Sequence, residues 1–219
     1  MNITDYILNE IQPLLLNSSV KMARKLFDDF PATHLVVVEK NVMLGCFSQD
    51  DLQNMANDAS ELAEHSHLLN SFFADEKTTA LALFKIFSEN DTNLIPVLNA
   101  DKEYMGYYQL SDVLEMFCTE PFMLEKSETL IIEKIERDYS MSEIAQIIES
   151  NNGKLLGMYL SKKEQDLVQI TLHIRTEDLQ EIMHTCRRYN YKIISMHEND
   201  LYAEDLKSRA DYLQKYLEI

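Results

Sequence analysis

Residues 95–114 read IPVLNADKEYMGYYQLSDVL, and residues 34–52 read HLVVVEKNVMLGCFSQDDL. A shift of 61 positions superposes the two stretches without a gap, and Gly45 then falls on Gly106. Self-similarity at a fixed spacing is the sequence signature of a repeat architecture. We therefore predict that the N-terminal half contains two copies of one small α/β unit.

Each copy has the same order of predicted elements. The runs LVVV and IPVL have the aliphatic and β-branched character of a buried strand, and VMLGCF and YMGYY predict a second strand after a polar turn. A helix follows, entered at Ser48 in the first copy and at Ser111-Asp112 in the second. The amphipathic stretches VKMARKLFDDF and TTALALFKIFSEN predict a helix before each hairpin, and aligning these two helices requires a one-residue slip.

This repeat resembles the CBS domain, and the tandem resembles a Bateman module over roughly residues 1–120. In that family the second strand ends in Gly–apolar–apolar–Thr/Ser–x–x–Asp. GCFSQDD, which begins at Gly45, satisfies the pattern, whereas GYYQLSD, which begins at Gly106, has Gln109 in place of the hydroxyl residue.

The resemblance implies ligand-binding roles for six residues: Gly45, Ser48, Asp51, Gly106, Gln109 and Asp112. In the family the carboxylate accepts hydrogen bonds from ribose hydroxyls, and the hydroxyl residue holds a phosphate together with N–H groups of the helix start. Helix capping is the alternative explanation for Ser48, Asp51 and Asp112. Tyr107 and Tyr108 fit strand packing better than base stacking.

The last third of the chain predicts a different domain. Strands are expected in ETLIIEKIERDYS, GKLLGMYLSKK, LVQITLHIR and YKIISMH, and helices in MSEIAQIIESNN and EDLQEIMHTCRRYNY. Ser140 with Glu143 three positions later predicts a capping box. The order βαββαβ is the ferredoxin-like plan and resembles an ACT domain. ACT domains usually carry a glycine at the first strand-to-helix turn, and residues 137–140 contain none, which favours a packing or dimerising role over amino-acid binding.

We therefore expect an α/β (α+β) chain with four parts. Residues 1–62 and 63–122 are the two CBS repeats, residues 127–198 are the ACT-like domain, and residues 199–219 form a C-terminal helix. The apolar side of that helix is Leu206, Ala210, Leu213 and Leu217. A CBS pair followed by an ACT domain resembles bacterial CBS–ACT proteins of the acetoin-utilisation type.

Charge and composition narrow the partners. The formal net charge is −17, which disfavours nucleic acid and anionic membrane surfaces. The first residues, MNITDYILNEIQ, lack the basic-then-apolar order expected of a signal peptide, and no apolar run approaches the roughly 18 residues expected of a membrane helix. Three scattered cysteines, Cys46, Cys118 and Cys186, indicate reduced, buried thiols and a cytoplasmic location.

No lysine or arginine occurs in residues 41–76 or between Glu103 and Glu125. Because strong phosphate contacts need cationic donors, these stretches favour a weakly anionic, uncharged or cationic adenosine compound over a triphosphate. AMP, ADP and S-adenosylmethionine are the adenosine-type ligands considered.

The resemblance and the charge together predict a regulatory or signalling homodimer. Its CBS pair would sense an adenosine-type ligand and change domain or subunit packing, with an unknown protein as a further possible partner. We expect no enzyme activity, no required cofactor and no metal site, since His65 and His67 have no third ligand nearby in the sequence. The alternative is a ligand-free dimeric interaction scaffold with vestigial CBS sites, which Gln109 and the acidic surroundings favour.

Overall fold

The structure is a computed structural model that describes residues 3–195. It contains two compact units, unit 1 (Met1–Thr119) and unit 2 (Glu120–Ile219). The predicted boundary between the two repeats stays a prediction, and the predicted helix of residues 199–219 lies outside the described residues. Within residues 3–195, no helix combines the length and apolarity needed to cross a membrane.

Unit 1 contains two three-stranded sheets of identical topology. In each sheet, a two-residue strand runs parallel to the first strand of an antiparallel hairpin. The elements are a 3₁₀ helix (Ile3–Tyr6), β1 (Leu14–Leu15), α1 (Val20–Asp29), β2 (His34–Glu39), β3 (Val42–Ser48), α2 (Gln49–Gln53), a 3₁₀ helix (Leu62–Leu68), β4 (Ala74–Asp75), α3 (Ala80–Glu89), β5 (Leu94–Leu98), β6 (Tyr104–Gln109) and α4 (Leu110–Cys118). The predicted tandem of two α/β units is confirmed.

The repeat register differs from the predicted one. Val37 pairs with Gly45 and Val97 pairs with Gly106, so β2 and β5 are related by 60 positions, whereas β3 and β6 are related by 61. The predicted superposition without a gap is therefore wrong for the first strand of the hairpin. The one-residue slip expected for the upstream helices lies in the hairpin turn.

Turn chemistry explains the extra residue. The first hairpin closes through a two-residue turn, Lys40 and Asn41, both with positive φ (50° and 67°), as the tight twisted turns of hairpins require. The second hairpin closes through the longer segment 99–103, in which Lys102 has a positive φ of 63°.

The helices before the hairpins begin at equivalent caps. The hydroxyl of Ser19 accepts from the Met22 N–H at the start of α1, and the hydroxyl of Thr79 accepts from the Ala82 N–H at the start of α3. Both predicted amphipathic helices are confirmed, and they bury one apolar face each, formed by Val20, Ala23 and Phe27 in α1 and by Leu83 and Phe87 in α3.

The two repeats exchange backbone segments. The N-terminal arm (residues 3–12) pairs with the second hairpin through reciprocal hydrogen bonds of 2.9 Å between Leu8 and Tyr107. The linker (residues 69–73) pairs with the first hairpin through Asn70 and Cys46, at 2.8 and 2.9 Å. Each hairpin is thus extended by a segment that comes before the other repeat's short strand.

The crossing segments explain why both motifs carry glycine. Gly106 has φ 144°, and a Cβ there would lie 2.4 Å from the Leu8 carbonyl oxygen. Gly45 has φ 156°, and a Cβ there would lie 2.9 Å from the Asn70 carbonyl oxygen. Neither position can hold a side chain without moving the segment that crosses it.

Unit 2 is an antiparallel four-stranded sheet with two helices packed on it. Its strand order is β10-β7-β9-β8, as the ferredoxin-like prediction requires, and that prediction is confirmed. The elements are α5 (Pro121–Leu124), β7 (Glu128–Ile135), a 3₁₀ helix (Glu136–Asp138), α6 (Met141–Ser150), β8 (Lys154–Glu164), β9 (Leu167–Arg175), α7 (Leu179–Arg188) and β10 (Lys192–Ile193). The core lies between the helices and one face of the sheet, and it includes Leu130, Ile132, Ile144, Ile170 and Ile182.

Only one of the two hydrogen bonds of the predicted capping box is present at the start of α6. The Ser140 hydroxyl accepts from the Glu143 N–H at 3.3 Å, but the Glu143 carboxylate is bound by Lys134 Nζ at 2.9 Å and by the Tyr191 hydroxyl at 2.8 Å. The Ser140 N–H donates instead to the Tyr191 oxygen at 3.3 Å. A tyrosine from the end of the domain thus satisfies the turn where ACT domains usually carry glycine.

Candidate functional site

A cavity of about 250 Å³ lies between the two repeats of unit 1. It is lined by Glu10, Ile11, Phe30, Pro31, Ala32, Asn93, Leu94, Tyr107 and Gln109. The arm and the loop after α1 belong to the first repeat, whereas the remaining lining residues belong to the second. We call this space the Gln109 cavity.

Local sequence chemistry places Phe30 at the cavity. Because Phe30 precedes Pro31, its backbone is restricted to the extended region, and it adopts φ −131° and ψ 138° at the C-cap of α1. The helix therefore stops at Asp29, and the next three residues turn toward the second repeat. At the corresponding end of α3 the chain has Asp91 with φ 47°, so the two sides of the module differ.

Equivalent residues of the two repeats join at the cavity wall. The Thr33 N–H donates to Asn93 Oδ1, and the Asn93 Nδ2 group donates to the Pro31 carbonyl at 2.6 Å. The first N–H of α2, at Gln49, donates to the Thr33 carbonyl, and the first N–H of α4, at Leu110, donates to the Asn93 carbonyl. These bonds fix the hairpin ends against each other.

Gln109 lies at the mouth of this arrangement. It is the N-cap residue of α4, and its side chain makes no capping hydrogen bond. The helix begins at Leu110, earlier than the predicted entry at Ser111-Asp112, and the Leu110 N–H donates to the Asn93 carbonyl as the Gln49 N–H of α2 donates to the Thr33 carbonyl. Asp112 lies in the first turn of α4, where its Oδ1 accepts from the Ser111 hydroxyl at 3.0 Å.

Ser48 and Asp51 are hydrogen-bonded to each other at the start of α2. The Ser48 hydroxyl accepts from the Asp51 N–H at 3.1 Å and donates to Asp51 Oδ2 at 2.6 Å, which makes Ser48 the cap of α2. Asp51 is therefore held by its own helix cap. Neither residue lines the Gln109 cavity.

His34 lies on the side of the module that contains Ser48, with which it pairs in register. The imidazole is buried, its Nδ1 lies 3.1 Å from the Thr33 hydroxyl, and its ring contacts Phe72 edge-on at 5.3 Å. Burial lowers the pKa of His34, and the nearby carboxylates of Asp51, Asp91 and Asp50 raise it by less. The sequence analysis did not identify this residue, whose counterpart in the second repeat is Leu94.

The cavity carries negative and neutral groups. Burial raises the pKa of the Tyr107 hydroxyl, the backbone N–H of Ile11 opposes that shift, and the charges of Glu10 and Asp112 add to it. Tyr107 is therefore a neutral donor at physiological pH. Among the described residues that line the cavity, none is lysine or arginine.

Of the six predicted site residues, the structure places Gln109 at this cavity. Gly45 and Gly106 lie where the linker and the arm cross the hairpins, and Ser48, Asp51 and Asp112 lie in helix starts. Sequence reasoning missed Glu10, Phe30, Pro31 and Asn93. The available signal was Pro31, which breaks the helical pattern immediately before a predicted strand.

The prediction of buried thiols is confirmed for Cys46 and Cys186 but is wrong for Cys118, which is exposed. Cys46 and Cys186 are buried, and burial raises the pKa of the Cys186 thiol to about 12 and that of Cys46 further, so neither thiol ionises readily. His65 lies in a 3₁₀ helix with its Nε2 3.2 Å from the Ser60 hydroxyl. Across residues 3–195, no group of three His, Cys, Asp or Glu side chains could hold a metal ion.

Unit 2 has a larger depression of about 860 Å³ between the end of α6 and the start of α7. Two of its charged groups are engaged, because Arg175 forms an ion pair with Glu125 and Asp178 caps α7 through the Gln180 and Glu181 N–H groups. The smaller Gln109 cavity, which is built from two repeats and carries a free amide, is the stronger candidate site.

No protein-family model and no protein with curated annotation matches this chain. Among solved structures, a CBS domain pair/ACT domain protein from Thermotoga maritima is 16% identical, with 53% of this chain and 96% of that chain covered and a TM-score of 0.48. The CBS domains of a transcriptional regulator from Streptococcus pneumoniae are 15% identical over 52% of this chain and 98% of that one, with a TM-score of 0.46. CBSX2 in complex with AMP is 17% identical over 53% and 95%, with a TM-score of 0.45. These structures similar to the chain are CBS domain pairs, in one case joined to an ACT domain.

Proposed function

We propose that this chain is a regulatory protein whose paired repeats bind an adenosine-type ligand in the Gln109 cavity. The observation that carries the proposal is that both repeats line one cavity, with Phe30 and Pro31 from the first and Asn93 and Gln109 from the second. A ligand that contacts both repeats has different affinities for different packings of them, which is what shifting an equilibrium requires.

The proposal moves the predicted binding position. The resemblance implies that Asp51 binds the ligand, but its carboxylate accepts a hydrogen bond from Ser48, whereas Gln109 faces the cavity without a capping bond. AMP, ADP and S-adenosylmethionine stay the ligand candidates. We further propose a cytoplasmic homodimer without catalytic activity, of the bacterial CBS–ACT type, in which the C-terminal domain contributes to the subunit interface.

The second candidate function is a ligand-free interaction scaffold. The hydrogen bonds between Ser48 and Asp51 favour the scaffold, since helix capping accounts for both residues of the family motif in the first repeat. In that case adenosine compounds would not stabilise the protein.

Thermal unfolding of the full chain with millimolar adenosine, AMP, ADP, ATP and S-adenosylmethionine distinguishes the two functions. Binding to the folded state raises the unfolding temperature with ligand concentration. We expect stabilisation that Gln109→Leu removes and that Ser48→Ala retains. Absence of stabilisation by every compound supports the scaffold, and loss of the effect in Ser48→Ala but not Gln109→Leu would return the site to Asp51.

A further inference from the structure

We propose that the Gln109 cavity selects a phosphate-free nucleoside and that Glu10 is the residue that excludes phosphate. This inference rests on the proposed function, because it names the ligand class of the same cavity. It depends on three features: the charge around the cavity, the state of its backbone donors and its size.

The charge at the cavity is negative. Glu10 is exposed at the mouth, and of the described lining residues it alone carries a full charge at neutral pH. Asp112 lies close enough to influence Tyr107 together with Glu10. A phosphate group would therefore lie near the Glu10 carboxylate without the cationic donors that make phosphate contacts strong.

Two backbone donors beside the cavity, the Leu110 N–H and the Ile11 N–H, are engaged. Helix starts bind phosphate through free N–H groups, but the Leu110 N–H at the start of α4 donates to the Asn93 carbonyl at 3.0 Å. On the other wall, the Ile11 N–H is directed at the Tyr107 hydroxyl.

The groups left for a ligand are neutral donors and apolar faces. The side-chain amide of Asn93 is hydrogen-bonded to Thr33 and Pro31. The side-chain amide of Gln109, which makes no capping bond, and the hydroxyl proton of Tyr107 are available to a ligand. Glu10 can accept from a hydroxyl or an exocyclic amine, and Phe30 supplies aromatic surface. These groups match a base and a sugar.

Size leads to the same class. Ligand pockets usually enclose roughly 300–1,000 Å³, and the Gln109 cavity encloses about 250 Å³. A nucleobase with part of its sugar fills this space, and phosphates would project past Glu10 at the mouth.

Isothermal titration of the full chain tests the inference with adenosine, AMP and ATP at fixed ionic strength. For the wild type we expect adenosine to bind more tightly than AMP, and AMP more tightly than ATP. Glu10→Lys should raise the AMP affinity relative to adenosine by up to about fivefold, the factor that corresponds to an exposed charge pair at the upper end of its usual range. Asp5→Lys is the matched control, because it makes the same charge change in the same arm without lining the cavity.

The outcomes separate the two proposals. If none of the three compounds binds, the proposed function fails and this inference fails with it. If the wild type binds ATP or AMP more tightly than adenosine, or if Glu10→Lys and Asp5→Lys change the ratio equally, the inference fails while the binding function stands. Hydrogen exchange at Leu8 confirms that the arm stays docked in both variants, so that a changed ratio reports on charge.

Discussion

Thr33 and Asn93 occupy equivalent positions in the two repeats, and each binds the other's backbone: the Thr33 N–H donates to Asn93 Oδ1 at 2.9 Å, and the Asn93 N–H donates to the Thr33 hydroxyl at 3.0 Å. We expect Thr33→Val and Asn93→Ala each to lower the free energy of unfolding by about 1–3 kcal/mol, since each leaves a buried or half-buried partner unsatisfied. A double-mutant cycle in urea should give a coupling energy of about 0.5–3 kcal/mol. Additive effects would show that the pair does not join the repeats.

The glycines of the two motifs make a second prediction. Gly106→Ala places a Cβ in strained backbone and against the Leu8 carbonyl, so we expect a loss of about 1–3 kcal/mol together with faster hydrogen exchange at Leu8. Gly157→Ala is the control, because the nearest atom to its added Cβ is Phe122 Cδ2 at 3.7 Å, an ordinary contact. Equal stability of the two variants would contradict the packing explanation for Gly106.

Removal of the hydroxyl group should affect stability differently at Tyr108 and at Tyr191. The Tyr108 hydroxyl is buried and has no hydrogen-bond partner among residues 3–195, and the corresponding residue of the first repeat is Phe47. Tyr108→Phe should therefore leave stability unchanged or raise it by up to about 1 kcal/mol. The Tyr191 hydroxyl is bound by Glu143 and Ser140, and Tyr191→Phe should cost about 1–3 kcal/mol. Chemical denaturation measures both, and destabilisation by Tyr108→Phe would reveal a partner for its hydroxyl.

His34 predicts a specific pH dependence. Because burial lowers its pKa in the folded state, the unfolded chain binds more protons at this residue below pH 6.5, the ordinary pKa of histidine. Its contribution to stability is therefore fully present above pH 6.5 and is lost as the pH falls below that value. His34→Leu, which copies Leu94 of the second repeat, should flatten this part of the profile. If the free energy of unfolding has the same pH dependence in wild type and variant between pH 5 and 7, the pKa of His34 is not lowered by burial, and the prediction is wrong.

Much of the fold could be predicted from the sequence because its signals are local. LVVV and IPVL became β2 and β5, the run LVQITLHIR became β9 without change of bounds, and the order βαββαβ gave the sheet of unit 2. The one-residue difference in length between the two hairpin turns could not be predicted, because the two motifs align without a gap. Asn41 is of a residue type common in turns, but that preference does not give the length of the turn.

The candidate site was predictable to a smaller extent because it depends on long-range contacts. Gln109 was identified through a family motif, but its place beside Asn93, whose carbonyl accepts from the Leu110 N–H, depends on the pairing of β5 with β6. Glu10 and Phe30 become neighbours of Gln109 only through tertiary structure. No periodicity within either segment indicates that contact.

The exchanged segments also bear on how the chain is made. The bond between Leu8 and Tyr107 joins residues roughly a hundred positions apart, and contacts of such separation form late because loop closure comes first. During synthesis the arm cannot pair with the second hairpin until Tyr107 has emerged from the ribosome. The arm, which precedes the first repeat's short strand, therefore docks only after the second repeat has been made. Nascent chains that end before about residue 110 should therefore be sensitive to protease at the arm, because the hairpin edge with which the arm pairs has not yet formed.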